Sequence, residues 1–206
     1  MTLEKSFRLP SKLCEAAANF VESFLPRVEA YRPESPQEEL KFSAQLQWQQ
    51  AESGEDISAR CVDALLGTLN RATVSPIAIA DLVCIVDREA IGRDIVKKLR
   101  EMKIRTLHTF GDGETDEDKE RDSRRKKLAF YKGDARVKVT TIHSFKGWES
   151  KAVVLQISTA STSKDLALAY TGITRLKRDE RGCHLTVVCS APELKNYGLT
   201  WSAANA

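Results

Sequence analysis

Several signatures that would place a protein in a common class are missing from this chain of 206 residues. It has no apolar run of about 18 residues, which excludes a membrane-spanning helix. No apolar core with a cleavage site follows the start, so we expect no secretory signal and a cytoplasmic location. Neither Gly-x-Ser-x-Gly nor Gly-x-Gly-x-x-Gly occurs, which disfavours a small α/β hydrolase or transferase. Gly-x-x-x-x-Gly-Lys-Ser/Thr is also absent, so the chain lacks the loop that cradles nucleotide phosphates.

The cysteines favour neither disulfides nor a metal site. All five are scattered, and their number is odd, which is typical of reduced, buried thiols. Cys183, His184 and Cys189 have the residue types of a metal site, but they lie along one predicted strand without a fourth ligand. We therefore expect this chain to hold no metal.

Hydrophobic periodicity predicts alternating strands and helices. The predicted strands are apolar or alternating runs at Leu40–Gln49, Ala80–Val86, Ile104–Phe110, Val137–Ile142, Ala152–Ile157 and His184–Cys189. Three predicted helices have clear ranges, Ser11–Leu25 with Ser11 as N-cap, Ile91–Met102 and Lys164–Thr174. A fourth helix is predicted to begin after a capping box at Ser53–Asp56. Strands that alternate with helices predict an α/β fold, with a mainly parallel sheet sandwiched by helices. We expect one domain over residues 1–206.

The most charged segment is predicted to be a solvated helix. The chain as a whole has a net charge of only +3, which permits a polyanionic partner without demanding one. After Thr115, a good N-cap, the acidic residues come first and the bases last, as the helix dipole favours. Glu117 with Arg121 and Glu120 with Arg124 are spaced for i, i+4 ion pairs. A helix stabilised by its own charges explains this segment better than a binding tail.

Groups suited to a ligand are concentrated in the turn after the predicted strand Val137–Ile142. The hydroxyls, imidazole, ammonium and exposed backbone that this turn offers belong to Thr141, His143, Ser144, Lys146 and Gly147. Such groups hold phosphate oxygens through side chains and amides. Glu149 would repel a phosphate but can accept a hydrogen bond from a ribose hydroxyl. The alternative is an ordinary strand-to-loop crossing around a buried Trp148.

A second candidate group, Arg175, lies at the end of the predicted helix Lys164–Thr174. Arginine binds a phosphate with two parallel hydrogen bonds and stays charged, so it can stabilise the charge that develops on a γ-phosphate during hydrolysis. The alternative is an exposed arginine that the negative end of the helix dipole favours. Lys177 and Arg178 lie nearby, so that alternative applies to each of these cations.

Taken together, these segments resemble the late motifs of superfamily 1 helicases of the UvrD/Rep type. Thr141–Glu149 matches Thr-x-His-x-x-Lys-Gly-x-Glu, and Tyr170–Arg175 contains the later Thr-Arg motif. Ser6–Ser11, followed by Ala16–Phe20, resembles the family segment Asn-Tyr-Arg-Ser with its Ala-Ala-Asn helix. The resemblance implies the second, C-terminal RecA-like motor domain, with a P-loop NTPase fold that lacks its own P-loop.

In such a domain, the turn after the strand would serve two ligands. By resemblance, Thr141 and His143 contact single-stranded DNA, and Lys146 is grouped with them although it could serve the nucleotide instead. Gly147 and Glu149 would face ATP, with Glu149 on its sugar.

The resemblance also implies which groups reach the γ-phosphate and which come from elsewhere. Arg8 and Arg175 would contact the γ-phosphate as catalytic residues. The phosphate loop and the ligands of the Mg²⁺ that accompanies ATP would come from the N-terminal motor domain of the same polypeptide. We therefore expect the isolated chain not to hydrolyse ATP, although the full protein would be an ATP-dependent DNA helicase with no membrane partner.

The chain departs from the family pattern in two places. Relatives place residues near DNA after the predicted strand Ala80–Val86, but Asp87 and Glu89 would repel a phosphate, so no DNA role is extended to this turn. The family's large helical insertion is absent or reduced to about residues 112–132, which still permits ATP-driven translocation. The alternative function is a stand-alone, non-hydrolysing nucleic-acid-binding or regulatory module derived from a helicase domain.

Overall fold

The computed structural model describes residues 9–25, 44–52, 54–70, 77–131 and 133–203. Within these ranges the chain forms a six-stranded sheet with helices on both faces. Arg8, residues 40–43 of the first predicted strand, and Ser53 lie outside the described residues.

All strands of this sheet run parallel, in the order β1-β6-β5-β2-β4-β3. Their bounds are β1 Ala44–Gln50, β2 Leu82–Val86, β3 Thr106–His108, β4 Val137–Thr141, β5 Ala152–Ile157 and β6 Cys183–Cys189. The predicted parallel α/β fold is confirmed, and β5 has the predicted bounds. Strand β3 is shorter than predicted because Thr109 and Phe110 leave the ladder. Their carbonyls accept hydrogen bonds from Ser123 Oγ (2.9 Å) and Lys126 Nζ (2.9 Å) instead.

The described helices are α1 Ser11–Phe24, α2 Ile57–Asn70, α3 Glu89–Glu101, α4 Asp116–Ala129, α5 Ser163–Ile173 and α6 Lys195–Ala203. Helix α1 begins where predicted, but Ser11 is its first residue and not its N-cap. Pro10 is the N-cap, and no side chain caps this helix end. At α2 the predicted capping role falls to Asp56, whose Oδ1 accepts a hydrogen bond from Ala59 N (2.9 Å).

Each face of the sheet has its own hydrophobic core. Helices α1, α5 and α6 pack on one face, and α2 and α3 on the other. In β2, Val83 and Ile85 belong to the first core, whereas Leu82, Cys84 and Val86 belong to the second. Because both faces are covered, every residue of β2, β5 and β6 is buried. This explains the continuous apolar sequence of β2 and the mostly apolar sequences of β5 and β6, in which Gln156, His184 and Thr186 are the polar residues.

Helix α4 belongs to neither core, since none of its residues is buried. Its predicted N-cap is present, and the predicted ion pair between Glu120 and Arg124 forms at 2.5 Å. Arg121 pairs with Asp118 at 2.6 Å and not with Glu117 as predicted. The expectation of a solvated helix with its own internal charge pairs is confirmed.

Two further features concern the described residues only. No helix among them is both long and apolar enough to cross a lipid bilayer. Their His, Cys, Asp and Glu side chains do not gather in any group of three that could hold a metal ion. The five cysteines are buried, as expected for core thiols, and they form no disulfide among themselves.

Gly172 of α5 marks a close approach of this helix to the sheet. A Cβ at Gly172 would lie 2.6 Å from Leu155 Cδ1 in β5, whereas a Cβ at Gly67 of α2 would meet no atom within 4 Å. We expect Gly172→Ala to lower the free energy of unfolding by about 1–3 kcal/mol through overpacking. Gly67→Ala should raise it by about 0.5–1 kcal/mol through helix propensity. Urea denaturation measures both, and shifts of the same sign would contradict this packing.

Candidate nucleotide and nucleic-acid site

The turn after β4 is fixed by Thr141. Its Oγ1 accepts a hydrogen bond from Ser144 N (3.1 Å) and donates one to Ser144 Oγ (3.0 Å). Its carbonyl accepts from the N–H of Phe145 (3.0 Å), whose ring is buried in the core. The residue predicted to touch DNA therefore also holds the turn that carries His143 and Lys146.

His143 and Lys146 are exposed and line an open groove of about 430 Å³ between this turn and α5. Helix α5 contributes Lys164 and Thr171, which are two helical turns apart and so lie on one face. Neither was predicted as a site residue. No local sequence pattern identifies them, because the groove exists only once the turn after β4 and α5 lie together.

The acidic residue in this groove, Asp165, is engaged in capping α5. Its carboxylate accepts a hydrogen bond from Thr162 N (3.0 Å), and its own N–H donates to Thr162 Oγ1 (3.2 Å). These hydrogen bonds with Thr162 hold the pKa of Asp165 below its ordinary value. Asp165 stays ionised, but Lys146 and Lys164 outnumber it, so the groove keeps a positive balance suited to a polyanion.

Asp87 follows β2 and ties it to the loop after β5. Its carboxylate accepts hydrogen bonds from Ser158 N (2.6 Å) and Ser158 Oγ (2.8 Å). Glu89 is also engaged, since it pairs with Arg93 at 2.6 Å. The two acids of this turn therefore have structural partners, and Arg88 between them lines a smaller cavity of about 140 Å³ beside the groove.

Gly147 gives the turn a backbone conformation that other residues rarely adopt. Its φ is +85°, in the left-handed region, and no atom lies within 4 Å of where a Cβ would be. The next residue, Trp148, is 37% exposed and packs edge-on against the Phe130 ring at 6.0 Å. The expectation that Trp148 is buried is therefore wrong, because Phe145 fills the core position instead.

Ser150 joins the end of the motif to Arg175. Its N–H donates to the Arg175 carbonyl (3.1 Å), and Lys177 N donates to the Ser150 carbonyl (2.8 Å), which makes a short parallel bridge. The Ser150 hydroxyl also donates to the Asp81 carbonyl at the start of β2. Glu149, directly before this bridge and half-buried, is thus held beside the segment that carries Arg175.

The Arg175 side chain is half-buried at the end of α5. Its Nε donates to the Thr171 carbonyl (2.9 Å), and Nη2 lies 3.4 Å from Thr174 Oγ1. The last turn of its own helix therefore orients the guanidinium, and a phosphate ligand would have to compete with these contacts.

The structure divides the predicted site residues into two groups. Thr141, His143 and Lys146 lie at the carboxyl edge of the sheet, where β4 ends. Glu149 and Arg175 lie together towards the amino edge, just before β5 begins. Gly147 is on the crossing between them, and Arg8 lies outside the described residues.

Comparison with solved structures shows a shared fold. The chain is similar to the C-terminal domain of a possible DNA helicase from Lactobacillus plantarum WCFS1, with a TM-score of 0.53 and 13% identity over 95% of this chain and 97% of that chain. The C-terminal domain of the DEAD-box protein Dbp5 is more distant, with a TM-score of 0.47 and 13% identity over 81% of this chain and 87% of that chain. No family model and no curated protein matches the chain. The first similarity establishes the fold alone, and this fold is the predicted RecA-like α/β arrangement.

Removal of the Asp87 carboxylate tests the anchor between β2 and the loop after β5. Asp87→Ala leaves the Ser158 N–H and hydroxyl without their partner, so we expect a loss of about 1–3 kcal/mol in the free energy of unfolding. Hydrogen exchange at the Ser158 amide should also become faster. Asp63→Ala, on the exposed face of α2, is the control and should change stability by less than about 0.5 kcal/mol. If Asp87→Ala and Asp63→Ala have the same stability and the same exchange rate at Ser158, Asp87 does not hold the loop after β5.

Proposed function

We propose that this chain is the second motor domain of an ATP-dependent DNA helicase or translocase of the UvrD/Rep type. In this role it completes an ATP site with the N-terminal motor domain of the same polypeptide and contacts single-stranded DNA. The isolated chain has no phosphate loop in its sequence, so turnover depends on the partner domain.

The observation that carries this proposal is the bridge between Ser150 and the Arg175 segment. Two backbone hydrogen bonds bring Glu149 and Arg175 together although they are far apart in sequence. A carboxylate suits a ribose hydroxyl, and a guanidinium suits a γ-phosphate. The backbone bridge joins the segments that carry these two groups, which is compatible with their serving one nucleotide.

A second observation supports a nucleic-acid strand at the opposite edge. His143, Lys146 and Lys164 face one open groove, and its acid is engaged in a helix cap. Contacts of this kind bind phosphates without reading sequence. The shared fold with the C-terminal domain of a possible DNA helicase is compatible with this assignment.

The mechanism follows from the separation of the two groups. ATP would lie in the cleft between the motor domains, where the partner supplies the phosphate loop and the Mg²⁺ carboxylates. Arg175 would stabilise charge on the γ-phosphate as it is transferred, so its engagement differs before and after hydrolysis. The segment Thr141–Glu149 carries both Glu149 and the turn proposed to contact DNA. Closure of the cleft would therefore move this turn and step the domain along the strand.

A stand-alone, non-hydrolysing nucleic-acid-binding or regulatory module is the second candidate. Its support is the Arg175 side chain, which is satisfied by the carbonyl of Thr171 within its own helix without any ligand. This alternative requires useful nucleic-acid binding that ATP does not change.

Arg175→Ala in the polypeptide that carries both motor domains tests the catalytic assignment. We expect DNA-stimulated ATP turnover to fall by about 10³–10⁵-fold, as for other arginines that stabilise a transferring phosphate. Lys177→Ala is the matched control, because this exposed cation keeps its backbone hydrogen bond to Ser150. If ATP turnover is unchanged by Arg175→Ala, or falls equally in both variants, Arg175 is not part of the ATP site.

The isolated chain should bind single-stranded DNA weakly and release no phosphate from ATP. We expect a dissociation constant of about 10⁻⁴–10⁻⁶ M with strong salt dependence. The double change His143→Ala with Lys146→Gln should weaken binding, and Lys195→Gln, a cation of α6, should not. Fluorescence anisotropy and a phosphate-release assay measure the two properties. Tight, salt-insensitive binding or DNA-stimulated phosphate release would contradict the proposal that this chain forms only part of an ATP site shared with a second domain.

A further inference from the structure

A basic groove of about 370 Å³ runs along β3, the last strand of the sheet order, away from the site described above. Its lining comes from the end of α3, the turn into β3, β3 itself and the residue before β4. These residues are Arg100, Lys103, Ile104, Arg105, Thr106, His108 and Arg136. No acidic residue is among them, so the groove is strongly positive for a chain whose net charge is only +3.

Three of the cations have no acidic partner. Arg100, Lys103 and Arg105 are exposed and form no ion pair within the described ranges. Arg136 differs, because Asp134 holds its guanidinium through Nε (2.8 Å) and Nη2 (2.6 Å). The groove therefore offers three unpaired cations beside one fixed guanidinium.

Lys103 occupies a position where a lysine is unfavourable for the fold. Its φ is +61°, and it is the non-glycine residue with positive φ among the described residues. Glycine or asparagine adopts this left-handed conformation more readily. The turn nevertheless carries a lysine, and that lysine faces the groove.

The lining distinguishes between kinds of nucleic acid. No Phe, Tyr or Trp lies in it, so unpaired bases have no ring to stack on, as single-strand grooves usually provide. His108 stacks on Phe110 at 5.6 Å, and burial lowers its pKa, so the positive charge comes from arginine and lysine. Guanidinium groups bind phosphate oxygens bidentately.

We propose that this groove binds the phosphate backbone of a nucleic-acid duplex. The proposal goes beyond the motor function, because the groove shares no residue with the turn at Thr141–Glu149 or with Arg175. Arg100, Lys103 and Arg105 supply the contacts, and Arg136 fixes one wall. The expected recognition is independent of sequence, since the groove offers only cations and no base-reading element.

The test is binding of a short labelled duplex to the whole chain across a salt series. Each lost phosphate contact should reduce the slope of log K against log salt by about 0.9, and affinity near 0.1 M salt by about fivefold to tenfold. The triple change Arg100→Gln, Lys103→Gly and Arg105→Gln should therefore lose nearly three units of slope. The single change Lys103→Gly distinguishes a direct loss of duplex binding from a loss caused by unfolding. It should weaken duplex binding while thermal stability stays equal or rises.

One control separates this surface from a general effect of removing a surface cation. Lys195→Gln changes a cation of α6 that lines neither groove, so it should leave duplex binding unchanged. An unchanged slope in the triple variant would overturn the proposal, whatever the outcome for ATP turnover. Equal binding of polyglutamate to the wild-type chain, lost in the triple variant, would also overturn it and indicate an acidic protein partner.

Discussion

Burial of the sheet on both faces is the constraint that determines where this chain can carry polar chemistry. Every residue of β2, β5 and β6 is buried, and helices cover each side. A ligand group placed within these strands would have to be desolvated in an apolar core, which is costly unless it is fully paired. Polar groups that serve a ligand are therefore confined to strand ends and crossings, and the candidate residues lie there.

The parallel arrangement then explains how one short motif can serve two ligands. After β4 ends at Thr141, the chain must return to the opposite edge before β5 can begin at Ala152. The motif is this return path, so its first residues lie at the carboxyl edge and its last residue, Glu149, at the amino edge. Ser150 secures the far end by pairing with the segment after α5. The connection between the two edges is therefore held at both ends, by Thr141 and by Ser150.

Local patterns were enough to predict the six described strands and helices α1 to α5, but not helix α6 or the partners of charged groups. The largely apolar run of β5, in which Gln156 is the one polar residue, gave its bounds because burial on both faces favours apolar side chains. Asp87 is a carboxylate, so the sequence alone indicated only that it would repel a phosphate. Its partner, Ser158, is 71 residues away, and no spacing rule connects the two. Lys164 was missed for the same reason: the groove it shares with His143 exists only after β4 and α5 are brought together.

Asp87 also determines where an anionic strand can approach. In open α/β sheets, ligands enter the crevice where neighbouring strands send their helices to opposite faces, and here that point lies between β2 and β5. The Asp87 carboxylate spans this crevice and occupies the Ser158 amide, a donor that would otherwise be available to a phosphate. The space left is about 140 Å³, against about 430 Å³ for the groove beside it. A carboxylate at the usual entry point disfavours an anion there, whereas His143, Lys146 and Lys164 face solvent in the neighbouring groove.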